Sequence, residues 1–261
     1  MNNFIVYAWT ETSCQHKDGR FDPWTFTHIS QISKIRDYAE KQGISPLRSV
    51  WLWQRPNLQA PKIGHFHIDL DSSLDVDKAR LTMNELIKGL EKHYGIDPYT
   101  LRIGFSGKKG FNLIIPIDTF LIEPIETPEE VYKRFAEFLR LSYDCIDLGI
   151  YSKRRLWKIE NSRHPATGLY RIMLKPEEVR ELTSKEIKEM AAGPRSLNHK
   201  IPKYSEKLGN VFNQIRIAIE RENKNKVEAV RKTEQSFISL PPEERIPKRY
   251  RQTVKEGNRN R

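Results

Sequence analysis

Between His65 and Asp71 the chain alternates strictly: Phe66, Ile68 and Leu70 on one side, His65, His67, Asp69 and Asp71 on the other. A period of two predicts a strand with one apolar and one polar face. The same reading predicts strands over 3–9, 50–53, 100–105, 111–117, 155–160 and 169–174. Helical spacing appears in Ile29, Ile32, Ile35 and Tyr38, which predicts a helix over 28–42 stopped by Gly43. A second helix is expected over 75–94, with Leu81, Leu86, Ile87 and Leu90 inward and Gly95 at its end. Thr127, Pro128 and Glu130 mark a helix start at the N-cap, N1 and N3, running to about Leu141. A helix is expected over 183–192, and Leu208, Val211, Phe212, Ile215 and Ile219 mark one more amphipathic helix. Strands and helices alternate around at least one hairpin, so the expected class is α/β or α+β with a mixed sheet.

The 261 residues suit one large domain or two small ones, and 11 Phe, 10 Tyr and 5 Trp are enough to build a core. Two cysteines, Cys14 and Cys145, exclude a disulfide scaffold and a four-cysteine zinc site. The longest aliphatic run, around Leu113–Ile117, is too short to span a bilayer, and the first ten residues carry no basic n-region. The expectation is a cytoplasmic protein with reduced thiols and no membrane partner. The net charge of +11 is unevenly placed: residues 1–194 contribute +2 and residues 195–261 contribute +9. A basic tail attracts nucleic acid through counterion release, or is simply a solvated face. Ala191-Ala192-Gly193-Pro194 is the expected boundary between a core (1–193) and a basic helical tail or accessory helical domain (194–261). A second cationic strip, Tyr151–Arg171, holds six Lys and Arg against the single acid Glu160.

Asp69 and Asp71 share a strand face about 6–7 Å apart. Like charges so close call for cations or water, and hard oxygens suit Mg²⁺ or Mn²⁺. The plain alternative is an exposed sheet face running into the Ser72-Ser73 turn. A calcium loop would need glycine at its sixth position, where Leu74 stands. A phosphatase with an apolar strand before D-x-D would need a later G-D-x-x-x-D acidic pair, which this sequence lacks. A two-metal nucleotidyl-transfer site needs a third carboxylate and a triphosphate cradle. Leu101–Pro116 reads as strand, basic turn, strand, the turn being Ser106-Gly107-Lys108-Lys109-Gly110. Its glycines admit close backbone approach and its lysines offer cations, although many such hairpins are only turns. It is no Walker loop, because no Lys-Ser/Thr pair follows.

A third stretch, Ile146-Asp147-Leu148 through the basic strand with Arg155 and Lys158 to the turn at Ser162-Arg163-His164, completes a set. Over roughly residues 49–175 these motifs, in order and spacing, resemble the archaeo-eukaryotic primase (primase-polymerase) superfamily. The resemblance implies an RRM-like palm module combined with an N-terminal α/β module. It implies that Asp69, Asp71 and Asp147 hold two divalent ions, Mg²⁺ or Mn²⁺, and are catalytic. Asp144 is a neighbouring competitor without the preceding aliphatic residue. It further implies that Ser106, Gly107, Lys108, Lys109, Gly110, Asn112, Arg155, Lys158, Ser162 and His164 bind the incoming nucleotide. One departure stands out: Asn112 occupies the position of the family's histidine, and can donate a neutral hydrogen bond but carry no charge. His65 and His67 flank the site and are not expected as ligands. The implied activity is DNA primase-polymerase chemistry with nucleoside triphosphates, a DNA template and a primer, and a helicase or accessory replication domain as a further partner. The alternative is a catalytically weak nucleotide- or nucleic-acid-binding module on the same fold. Lys255–Arg261 resembles the start of the helical module that follows the catalytic core in replicative primases, which points to a longer protein or a separate accessory domain.

Overall fold

The computed structural model of the chain describes residues 7–72, 75–121 and 127–239. The elements open with β1 (Trp9–Gln15), β2 (Thr25–His28), α1 (Ile32–Gln42), β3 (Ser45–Ser49), β4 (Trp51–Trp53) and β5 (Lys62–Gly64). There follow β6 (Phe66–Asp71), α2 (Val76–Tyr94), β7 (Arg102–Phe105), β8 (Gly110–Ile115) and α3 (Pro128–Arg140). The chain continues with β9 (Leu156–Lys158), β10 (Ile172–Leu174), α4 (Pro176–Glu181), α5 (Ser184–Met190) and α6 (Glu206–Ser239). Contacts divide it into two compact units, Met1–Ile215 and Arg216–Arg261. No described helix is long and apolar enough to cross a membrane.

The first unit holds two antiparallel sheets. One runs β5-β4-β1-β3-β9 with β2 also on β1, and the other runs β10-β7-β8-β6. The expected mixed α/β class is therefore present, with antiparallel pairing throughout. In the second sheet the free edge of β6 is covered by a one-residue bridge between Leu70 and Ile146. With that bridge as a short fourth strand, β6-α2-β7-β8-α3-bridge is a βαββαβ run, the RRM-like module.

The apolar face of β6 builds the core. Phe66, Ile68 and Leu70 are fully buried, and Phe66 packs on Tyr132 and Phe135 of α3 and on Phe212 of α6. Asp75 caps α2 by accepting the Lys78 N–H, and Gly95 ends the helix in the left-handed conformation. Its inner face is Ala79, Met83, Leu86, Ile87 and Leu90; Leu81, expected inside, is exposed. Thr127 stands before α3 without making a side-chain cap, while Pro128 takes the first turn as expected.

Other differences concern the first sheet. Of the strand expected over 3–9, only Trp9 is in a strand, and residues 3–6 lie outside the described ones, as does the 255–261 stretch. The strand that forms is β1, whose Thr10, Glu11, Thr12 and Ser13 are all buried although polar. Its central position explains this, because β2 pairs one edge and β3 the other. Thr12 and Thr27 hydroxyls bond at 2.7 Å, and Glu11 pairs with Arg154. The segment between the expected boundary at 193/194 and the contact boundary at Ile215 lies on the first unit. There the Lys200 N–H donates to the Tyr99 carbonyl and the Ser205 N–H to that of Thr119. Phe212 stacks on Phe120 at 4.4 Å between ring centres.

Candidate active site

The polar face of β6 looks away from the helices, and across it lie β9 and the turn that precedes β10. His67 fills the middle of that space: it is buried, meets the Trp157 ring edge-on at 5.1 Å and donates from Nδ1 to the His65 carbonyl at 2.9 Å. Burial and neighbouring cations hold its pKa well below the usual histidine range. His65 accepts the Ile117 N–H on Nδ1 at 3.1 Å, and burial pushes its pKa down to about 4. Both rings are packed beside the site and are held there by these hydrogen bonds.

Two residues further along, the strand carries carboxylates. Asp69 lies opposite Asn112 and Asp71 opposite Gly110 across the β6–β8 ladder. The Asp147 N–H donates to the Asp69 carbonyl at 2.9 Å and the Asp71 N–H to the Cys145 carbonyl at 3.2 Å. The three acids, 78 positions apart at the extremes, thus become neighbours through backbone pairing on one sheet edge. Asp69 senses both: its pKa is pushed up to about 7, first by burial and then by the charges of Asp71 and Asp147, against the lowering effect of Arg155 and Arg171. Asp144 is elsewhere, in an exposed ion pair with Lys78 at 2.8 Å.

Among the described residues, no three His, Cys, Asp or Glu side chains stand in a metal-ligating cluster. The side chains have other partners: Asp71 pairs with Lys109 at 2.9 Å, and Asp147 Oδ1 accepts the Gly149 N–H at 2.8 Å. The donor set is nevertheless suited to a hard divalent ion. Three carboxylates with a raised pKa among them form a concentration of negative charge that a cation relieves.

Cations lie beside this acidic edge. Burial and the charges of Arg171 and Lys108 push the Lys158 pKa down to about 8. His164, half-buried, is pushed down to about 4, first by burial and then by Lys158 and Lys108. Its Nδ1 accepts the Ala166 N–H, so a neutral ring carries its hydrogen on Nε2. Arg155 acts on Asp69, and its buried Nε has no protein partner. Hairpin and turn are locked together: Thr167 donates to the Gly107 carbonyl at 2.6 Å, and Gly107 has a φ of 84°. A Cβ there would stand 2.9 Å from the Leu169 carbonyl oxygen. Ser106 closes the hairpin, its Oγ accepting the Gly110 N–H at 3.1 Å, which leaves its own hydrogen to donate.

Not every expected nucleotide contact gathers here. Ser162 is buried and donates to the Ile159 carbonyl at 2.6 Å, within its own turn. Lys109 is paired with Asp71. Two residues enter that were not among the expected site residues, although Tyr151 lies inside the third motif stretch. Tyr151 donates to the His67 carbonyl at 2.7 Å, and its hydroxyl is raised well above the usual range by burial and then by Asp69 and Asp147. Arg171, fully buried, donates to Asn112 Oδ1 at 3.0 Å and to the Lys158 carbonyl. The only sequence signal for Arg171 was its place at the end of the cationic strip.

Neither protein-family models nor curated protein sequences give a match to this chain. Solved structures do. The chain is similar in fold to primase and polymerase domains. It matches primase RepB' with a TM-score of 0.49 and 11% identity over 88% of this chain, and spans 65% of the length of that protein. It matches the polymerase domain of Mycobacterium tuberculosis Ligase D, solved with DNA, at 0.47 and 14% identity over 81% of this chain and 82% of that one. The third is the primase-polymerase domain of cyanophage S-2L, at 0.42 and 11% identity over 67% of this chain and 89% of the other. At such identities the likeness concerns fold, and the chemistry has to be read from this chain's own side chains.

Proposed function

We propose that this chain is a template-dependent nucleotidyltransferase of the primase-polymerase kind. The observation that carries the reading is the Asp147 N–H bonded to the Asp69 carbonyl at 2.9 Å, which brings the third acid beside the first two on a sheet edge flanked by cations. Its partners would be nucleoside triphosphates, a DNA template and a primer. Asp69, Asp71 and Asp147 would hold Mg²⁺ or Mn²⁺, with the Lys109–Asp71 pair opening as ions enter. Bound ions of this kind lower the pKa of an attacking hydroxyl and neutralise charge on a departing pyrophosphate. The protein's own part is positioning. Lys108, Lys158, Arg155, the Nε2–H of His164 and the hydroxyl of Ser106 would grip the triphosphate. That grip would align the α-phosphorus for in-line attack, and alignment with charge stabilisation is most of the catalysis phosphoryl chemistry needs.

A second reading is favoured by the Lys109–Asp71 ion pair at 2.9 Å, which occupies one of the proposed ligands. In that reading the chain binds nucleotides without incorporating them. Primer extension with Mn²⁺ and labelled triphosphates separates the two. The first reading expects extension and pyrophosphate release, reduced at least about a hundredfold in Asp147→Asn while the protein stays folded. Extension by that variant at the unsubstituted rate contradicts the assignment, and triphosphate binding without any extension supports the second reading.

A further inference from the structure

We infer that Arg171 is a positioning residue that acts with Asn112 as one unit, the pair presenting an amide donor backed by a fixed charge to the triphosphate of a nucleotide; this rests on the reading proposed above. Asn112 lies at the centre of the polar row, opposite Asp69 on one side and Gly104 on the other. Its Oδ1 is held by Arg171 Nη2 at 3.0 Å. Fixing the amide oxygen fixes the amide plane, so the NH₂ arm is directed away from Arg171. With the oxygen engaged, the NH₂ arm is the part of the amide left to donate to a ligand. The neighbouring position is kept clear for this amide: a Cβ at Gly104 would stand 2.7 Å from Asn112 Oδ1.

Arg171 itself carries the second part of the case. It is 2% exposed, stacks 5.6 Å from the Trp157 ring and forms no ion pair among the described residues. Its Nε is buried without any partner. Glu160 and Asp69 act on it only through space, and a buried guanidinium without a direct ion pair is costly, a cost that falls when an anion binds nearby. The chain therefore has, behind a neutral asparagine, the permanent positive charge that the asparagine lacks. The guanidinium reaches the ligand's charge through Asn112 and through space, and it is not itself exposed to contact.

The test is a titration of the full chain, in Mg²⁺, with a deoxynucleoside triphosphate and separately with the corresponding monophosphate. Arg171→Met and Asn112→Leu remove one partner each and leave an apolar side chain in its place, and circular dichroism reports whether each folds. Each is expected to weaken triphosphate binding about tenfold or more, the range for a hydrogen bond to a charged group. Monophosphate binding should stay within about twofold, and the double variant should be no weaker than the worse single one, because the two residues act as a unit. If Arg171→Met does not fold, Arg171→Lys replaces it: the charge remains but cannot fork to both Asn112 and the Lys158 carbonyl, and an affinity loss is again expected. Unchanged triphosphate affinity in the folded variants, losses that multiply in the double variant, equal losses for both nucleotides, or no triphosphate binding by the unsubstituted chain would each overturn the inference. Extension by the unsubstituted chain is read separately. Extension without any dependence of affinity on Arg171 defeats the inference alone, and Arg171-dependent affinity without extension defeats the activity alone.

Discussion

Asp69 and His67 stand two positions apart on one strand face, yet they meet opposite fates. The histidine is sealed under Trp157, whereas the aspartate opens onto the acidic edge. Alternation placed both on the same side of β6, and that much was legible in the sequence. Which of the two would be covered depends on β9, whose approach no local pattern encodes. The buried histidines have a consequence for stability. The folded pKa of His65 is depressed to about 4 from an ordinary value of 6.5, so the unfolded chain binds more protons between those limits. Stability is therefore full above about pH 6.5 and declines as pH falls towards 4, by up to about 3 kcal/mol from this group. His65→Asn keeps an acceptor for the Ile117 N–H but does not titrate. Urea unfolding at pH 7 and pH 5 should show a smaller loss in the variant, and equal losses would contradict the assignment. Arg171 shows what residue patterns miss. A single arginine in a basic strip looks like surface, and only the fold reveals that it is buried against Asn112.

Elements with strong periodicity and clear ends were readable: α1 stopping at Gly43, α2 between Asp75 and Gly95, and the hairpin β7–β8. Four strands of the first sheet, β1, β2, β3 and β5, were not. β3 reads Ser-Pro-Leu-Arg-Ser, and a proline ordinarily speaks against a strand between two neighbours. It is accommodated because Pro46 still offers its carbonyl, to the Ile159 N–H at 3.1 Å. β1 is a polar run made central by pairing on both edges, which hydrophobicity cannot signal. The start of α6 was read as amphipathic, but its place in the core was not. Phe212 closes an aromatic cluster with Phe66, Phe120, Tyr132 and Phe135. Phe212→Ala should accordingly destabilise the first unit by about 3–5 kcal/mol, the cost of a large cavity in a packed core. A chemical denaturation midpoint unchanged by this substitution would mean that the core ends before residue 206.

For the molecule as a whole, the mixed α/β class was legible in the alternation of elements, and the motifs named segments that pair with one another in the fold. The first and third stretches pair through backbone at one edge of β6 and the hairpin pairs its other edge, whereas the ion pairs holding Asp71 and Asp144 with lysines lay beyond any motif. The charge asymmetry belongs to this scale too. Residues 240–261 carry seven Lys and Arg against three Glu. If the proposed DNA partner is held by counterion release, the logarithm of affinity should fall linearly with the logarithm of salt concentration. Deleting 240–261 should make that slope shallower, and an unchanged slope would show that the tail takes no part. The central claim, that Asp69, Asp71 and Asp147 form one cation site serving a triphosphate, is tested most directly by Mn²⁺ titration followed by electron paramagnetic resonance, with and without a nucleoside triphosphate. The unsubstituted chain should bind Mn²⁺, more tightly with the triphosphate present, and both Asp69→Asn and Asp147→Asn should lose that binding while remaining folded. Mn²⁺ affinity equal to that of the unsubstituted chain in both variants would contradict the account.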